Sequence, residues 1–205
     1  MVKKKQVGRK VEGWKAKSWY KVYVPEVFGK NYLGDTIANE PEKVVGRVME
    51  TTLGEITQDY SKQHVKLRFR IREVAGDAAY TEFAGHELTR DFMRSLVKRR
   101  TSRIDVVLPV VTKDGKQLRV TVTAFTLFRA NLSQAHNIRS TMSQFVMQAA
   151  AQNDMDSLVR AMVSGDIAKE LHKLLKVIHP VRRVEVIKSK LEERKKELLN
   201  VPMTR

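Results

Sequence analysis

Apolar and polar positions along this chain predict mainly strands up to about residue 128 and mainly helices after residue 131. Tyr20, Val22 and Val24 alternate with Lys21 and Tyr23 as in a half-buried strand, and Pro25 ends it. Residues 28–41 hold Gly29, Asn31, Gly34, Asp35, Asn39 and Pro41, which break any period and predict turns. Residues 43–52 read as a strand, and 51–62 as a polar connection around Gly54. The clearest strand is 64–74, where Val65, Leu67, Phe69 and Ile71 alternate with Lys66, Arg68, Arg70 and Arg72. Ala75, Gly76 and Asp77 turn the chain, and 78–84 returns as the hairpin partner. A second hairpin, 104–111 with 117–128, closes on Asp114-Gly115, and Pro109 marks its first strand as an edge or a bulge.

Between the hairpins lies a helix, predicted over 89–98. Leu88, Phe92, Met93, Leu96 and Val97 fall on one half of it at 100° per residue, and Arg90, Arg94 and Lys98 stripe the other. Thr89 is placed as its N-cap, with Leu88 and Met93 set for a hydrophobic staple. Beyond Asn131 helices are predicted over 133–151, from near Asp154 or Asp156 to Gly165, and from Asp166 to before Pro180. Alternation resumes at 181–187, a strand returning to the sheet, and 190–200 is charged in both signs, as in a solvated helix or a disordered tail. The pattern predicts an α+β protein: a β-barrel-like core of six to seven strands, one central helix and a C-terminal group of helices. Its parts are an N-terminal arm (1–18), the core (19–130), a helical region (131–180), the returning strand (181–188) and a charged tail (189–205).

Charge changes what this fold is for. The 205 residues carry 39 Lys and Arg against 23 Asp and Glu, a net +16, which implies a polyanionic partner. No run of eighteen apolar residues suggests a membrane span, and the first ten residues lack the apolar core of a secretory signal. There is no cysteine, which rules out disulfides and thiolate chemistry and fits a reducing interior. The arm concentrates Lys3, Lys4, Lys5, Arg9, Lys10, Lys15 and Lys17 against Glu12 alone, with Trp14 among them. Such a segment suits ordering against a partner, its cations meeting phosphates and its ring stacking on an unpaired base. Arg90, Arg94, Lys98, Arg99, Arg100 and Arg103 form the densest cluster, Arg68 and Arg70 extend it onto a strand face, and Arg182 and Arg183 follow Pro180. These are the candidate RNA contacts, because Arg offers bidentate and Lys point-charge recognition of phosphate.

Catalysis finds little support. None of the five histidines pairs with another at metal-binding spacing, and the glycines form no phosphate loop. Asp59, Glu73 and Glu82 are the carboxylates a nuclease-like metal site would draw on, yet their spacing does not favour it. His86 reads as a structural or RNA-contacting imidazole. The expectation is a protein with no catalytic residues, no metal and no cofactor. The residues alone leave open a free-standing RNA- or DNA-binding module, such as an RNA chaperone.

The run Pro41-Glu42-Lys43-Val44-Val45-Gly46-Arg47-Val48, the segments Glu50-Thr51-Thr52-Leu53-Gly54 and Asp59-Tyr60-Ser61-Lys62-Gln63, GHELTRDFMRSLVKRRTSRID from Gly85 and TKDGKQLRV from Thr112 closely resemble one family. It is the S-three-A-e family of archaeal and eukaryotic small-subunit ribosomal proteins, and the short C-terminal tail is similar to the archaeal form. The likeness runs through nearly the whole chain, although 133–156 carry little of the motif. It implies a cytoplasmic structural component of the small ribosomal subunit, bound to small-subunit rRNA and neighbouring proteins. It further implies a position on the platform near the mRNA exit region and the rRNA 3′ end, with mRNA a candidate partner.

Overall fold

The structure, a computed structural model, describes residues 17–192. The expectations for Lys3, Lys4, Lys5, Arg9, Lys10, Trp14 and Lys15, and for the tail beyond 192, lie outside the described residues. Among the described residues, eight strands and five α-helices make an α+β fold. The chain divides into two compact units, one of residues up to Val48 with Arg70–Glu82, the other of Met49–Phe69 with Phe83 onward.

In the first unit, β1 (Ser18–Tyr23) pairs antiparallel with β2 (Tyr32–Ala38) and parallel with residues 78–80 of β5. Tyr20, Val22 and Val24 are buried, whereas Trp19 is 59% exposed, so the two neighbouring aromatics of the sequence face opposite ways. β2 was hidden by its turn-forming Gly34 and Asp35, which pair with Val22 and Lys21. Residues 41–47 are not a strand: Pro41–Lys43 form a 3-10 turn, and Gly46 takes a left-handed φ of 85°. Arg47 fastens that loop, its Nη1 donating to Thr36 Oγ1 and to the Ile37 carbonyl, both at 2.8 Å.

The second unit begins with β3 (Val48–Thr52) and a short helix, α1 (Leu53–Thr57), inside the stretch that reads as polar connection. A capping box explains it: Thr52 Oγ1 accepts from the Glu55 amide, and the Glu55 carboxylate accepts from the Thr52 amide. β4 (Val65–Ala75) and β5 (Ala78–Leu88) form the long hairpin, with Val65, Leu67 and Phe69 buried. Then come α2 (Arg90–Leu96), β6 (Arg103–Val111) and β7 (Gln117–Thr126), the last two paired from Arg103↔Phe125 to Val111↔Gln117 around the Asp-Gly turn. α3 (Leu132–Gln152), α4 (Met155–Ser164) and α5 (Asp166–Leu175) precede β8 (Val181–Glu192). Asp114 in that turn accepts from the Met155 amide at 2.9 Å and so caps α4.

β8 runs antiparallel between β5 and β7, and continues to Glu192 because Ser189 and Leu191 keep the inward alternation going against Val120 and Leu118. α3 packs on β6 and α5 on β8. α3 buries Ile138, Met142, Val146 and Ala150 at a spacing of four, the core-facing stripe of a long helix. Strand pairing follows β2-β1-β5-β8-β7-β6, with β4 on β5 and β3 on β4, and it is open rather than closed into a barrel. The edge strand β6 tolerates Pro109, as the sequence implied, and is the strand on which α3 packs, so closure is not needed to protect it.

Candidate nucleic-acid interface

α2 is shorter than its periodicity suggests. Thr89 sits at the N-cap with extended backbone, although its side chain makes no capping hydrogen bond, and Val97 leaves the helix at ψ 124°. Leu88, Met93 and Leu96 are buried, Phe92 is half-buried, and Val97 is 49% exposed. The inner face therefore anchors the helix and sends Arg90 and Arg94 outward. The chain then turns through Lys98, Arg99 and Arg100, all exposed, with Arg100 at a left-handed φ of 61°. Among the described residues none of these five cations forms an ion pair. Asp91 is the one carboxylate of the helix, and it too lacks an ion-pair partner among the described residues.

The other predicted contacts differ. Arg68 gives its Nε to Glu50 of β3 at 2.6 Å and its Nη2 to Glu87 of β5 at 3.3 Å, and Lys188 of β8 reaches the same Glu87 carboxylate at 3.1 Å. Arg70 stands half-buried two residues on. Arg103 pairs with Asp105 at 2.9 Å, and Asp105 also accepts from Thr123 Oγ1. Arg68, Arg90 and Arg94 border one cavity of about 700 Å3, together with Lys66, Glu50, Glu87 and Asp91. Lys17 is exposed ahead of β1.

Arg182 and Arg183 belong to a second place, a cavity of about 610 Å3 lined by β5, β8, the α4–α5 junction and the segment before β4. Arg183 pairs with Glu185 at 2.5 Å, and its guanidinium carbon lies 5.2 Å from the centre of the Phe92 ring. The His64 ring stacks on Phe92 at 4.1 Å between centroids and 25° between planes. Sequence reasoning missed His64, Lys62, Lys169 and Lys173 here, because α5 and the segment before β4 meet only in the fold.

His86 is structural. It is 2% exposed, its Nε2 lies 3.1 Å from the Val186 carbonyl, and its Nδ1 lies 2.6 Å from Ser189 Oγ. A carbonyl only accepts, so Nε2 carries the proton and the serine hydroxyl donates to Nδ1. Burial lowers its pKa to about 4, which keeps the ring neutral. Among the described residues no group of three His, Asp or Glu side chains is gathered as a metal site. Asp59 instead pairs with Lys62 at 3.2 Å and Glu73 with Arg72 at 3.6 Å. No described helix is long and apolar enough to cross a membrane.

Comparison with known proteins completes the picture. The profile of the Ribosomal S3Ae family matches residues 5–195. The chain is 60% identical over 193 residues to the small ribosomal subunit protein eS1 of Methanoculleus marisnigri, covering 94% of this chain and 98% of that one. To the protein of the same name from Methanosphaerula palustris it is 59% identical over 194 residues, covering 95% and 98%. To that of Methanoregula boonei it is 58% identical over 193 residues, covering 94% and 96%.

Proposed function

Because the chain belongs to the Ribosomal S3Ae family, we propose that it binds small-subunit rRNA chiefly through the unpaired cations of α2 and the turn after it. It is a structural, non-enzymatic protein of the small ribosomal subunit, and as such it works in the cytoplasm among rRNA and other ribosomal proteins. The finer reading puts it on the platform near the mRNA exit region and the rRNA 3′ end, with departing mRNA as a further partner; the sequence motifs support that reading. One observation carries the RNA contact: Arg90 and Arg94 are held outward by the buried apolar face of α2, Lys98, Arg99 and Arg100 stand exposed in the turn after it, and all five lack carboxylate partners among the described residues. Phosphates are the anions that match such a cluster, and affinity then comes from counterion release. Lys17, Arg68, Arg70, Arg103 and the arm residues Lys3, Lys4, Lys5, Arg9, Lys10, Trp14 and Lys15 are proposed as secondary contacts.

Sedimentation of extracts expressing tagged wild type or the double variant Arg99→Ala, Arg100→Ala tests the reading. The wild type is expected to co-migrate with the small subunit at high salt. The variant is expected to fold normally and to occupy fewer subunits. Equal occupancy would remove the cluster from the contact surface. A wild-type chain remaining at the top of the gradient would favour a free-standing RNA-binding module.

A further inference from the structure

The cavity beside β8 is built unlike the α2 surface. Its floor is apolar and buried, formed by Val65, Leu88, Met162, Ala168, Val184 and Val186. Around the floor stand Lys62, Lys169, Lys173, Arg182 and Arg183, with Glu185 the one carboxylate among the described residues of the lining. Lys62, Lys169 and Arg183 have carboxylate partners in Asp59, Asp166 and Glu185, whereas Lys173 has none among the described residues. Arg182 supplies the second observation. Its Nη1 is buried and has no hydrogen-bond partner among the described residues. A guanidinium N–H taken from water without an acceptor is unfavourable, and a native protein rarely leaves one so unless an acceptor arrives. At the rim, His64 presents a ring already fixed by its stack on Phe92.

An apolar floor, a fixed ring and a cationic margin match the two halves of a nucleotide. We propose that this cavity takes one unpaired RNA nucleotide, its base against the floor and the His64 ring, its phosphate against Arg182 and Lys173. The volume, about 610 Å3, lies in the range of small-ligand sites. This rests on the RNA-binding reading above and adds to it a place where a base, and not only the backbone, is held.

The test uses the full chain and two RNA hairpins, one with a single bulged adenosine and one with an abasic residue at the bulge. Stacking is tolerant of sequence, so a model hairpin suffices, and the bulged adenosine is expected to bind on the order of tenfold tighter than the abasic form. Arg182→Gln is expected to weaken the bulged adenosine more than the abasic form, since the phosphate is drawn against Arg182 only when a base is seated in the cavity, and so to narrow that ratio. Lys173→Ala, on an exposed helix position, is expected to lower the ratio too, so the outcome stands even if Arg182→Gln fails to fold. Equal binding of the two hairpins by the wild type, or an undiminished ratio in Lys173→Ala, overturns the nucleotide site while leaving RNA binding intact. Binding to neither hairpin overturns the RNA-binding reading itself. Adenosine monophosphate competing as well as the bulged hairpin assigns the cavity to free nucleotides instead. In the assembled subunit, a photoreactive side chain in place of Lys169 is expected to crosslink to rRNA, and crosslinking to a neighbouring protein alone overturns the proposal.

Discussion

On the base of β4 and on α2, cations stand at similar density, and the fold treats them in opposite ways. Arg68 points from β4 between two strands, and each brings it a carboxylate, Glu50 from β3 and Glu87 from β5. Arg90 and Arg94 point from a helix into a space where, among the described residues, nothing answers them, and Lys98, Arg99 and Arg100 continue in the same manner. A strand inside a sheet has neighbours about 5 Å away on each side, so an outward cation readily finds an acid across the ladder. A helix anchored by one face has no such neighbours on the other. Charge density along the sequence is therefore a poor measure of charge offered to a partner; the architecture around each cation decides it.

The paired region is most sensitive from beneath. His86 joins β5 to β8 on the inner side, while Glu87 joins Arg68 and Lys188 on the outer side. The folded ring, with its pKa lowered to about 4 mainly by burial and only partly offset by its hydrogen bond to Val186 and by Glu87, resists a proton that the unfolded chain accepts near 6.5. Stability from this group is complete above pH about 6.5 and is lost as pH falls towards 4, by on the order of 3 kcal/mol. Urea unfolding at pH 7 and at pH 4.5 checks it: His86→Gln is expected to lose markedly less stability between the two than the wild type. Parallel losses would remove His86 as the sensitive group.

Next in size is Gly85→Ala. An added Cβ would stand 2.4 Å from the Ser189 carbonyl oxygen, a backbone atom that cannot rotate away. Gly85 pairs with Lys190 on β8, so the seam must open and carry Lys188 away from Glu87. Overpacking of this kind destabilises by about 1–3 kcal/mol. A fall in melting temperature with the salt dependence of RNA binding unchanged is expected, since α2 lies outside that seam. A melting temperature equal to wild type would show that β5 and β8 are more loosely joined than their pairing implies.

Much of this was legible in the sequence. The alternation from Val65 to Ile71, the Asp114-Gly115 turn, the edge position of Pro109 and the helical stripe of α5 all appear in the fold because each is set by local periodicity or turn chemistry. β2 was not legible: Gly34 and Asp35 read as turn residues, and the tertiary pairing with β1 overrides them. α1 was missed although Thr52 and Glu55 announce a capping box. The cations of the 85–105 segment could be named in advance, but not that Arg103 is paired with Asp105 while Arg90, Arg94, Lys98, Arg99 and Arg100 have no carboxylate partner among the described residues, nor that Arg68 on β4 is paired twice. Glu50 and Glu87 reach Arg68 from 18 and 19 residues away, across strands whose register no local pattern states.

Paired and unpaired cations can be set against each other directly. Arg94→Ala with Lys98→Ala removes two unpaired cations, and the slope of log affinity against log salt is expected to fall by about 0.7 to 0.9 for each phosphate no longer neutralised. Arg68→Ala, removing a secondary contact already paired with Glu50 and Glu87, is expected to lower the slope by clearly less than Arg94→Ala with Lys98→Ala and to shift stability by less than about 1 kcal/mol, as exposed ion pairs do. Equal slopes for both variants would mean that pairing to carboxylates does not withhold a cation from RNA.

A subtler change approaches the same contrast from the acid's side. Glu87 holds two cations at once, Arg68 at 3.3 Å and Lys188 at 3.1 Å, all three partly open to solvent. Glu87→Gln keeps the shape and one acceptor oxygen but takes away the charge. Neither cation loses its place, because Arg68 keeps Glu50 at 2.6 Å and both side chains extend from paired strands. What changes is the local potential: Arg68 stays with Glu50, Lys188 loses its carboxylate, and one net positive charge becomes available to a phosphate. Affinity for RNA is expected to rise by about twofold at low salt, and the gain to vanish near 1 M salt, where the Debye length is about 3 Å. The change belongs to the association rate as much as to the complex, since exposed charge steers encounter. A variant with unchanged affinity at low salt would show that β4 is kept from RNA by its position in the sheet, and not by the acids its neighbours supply.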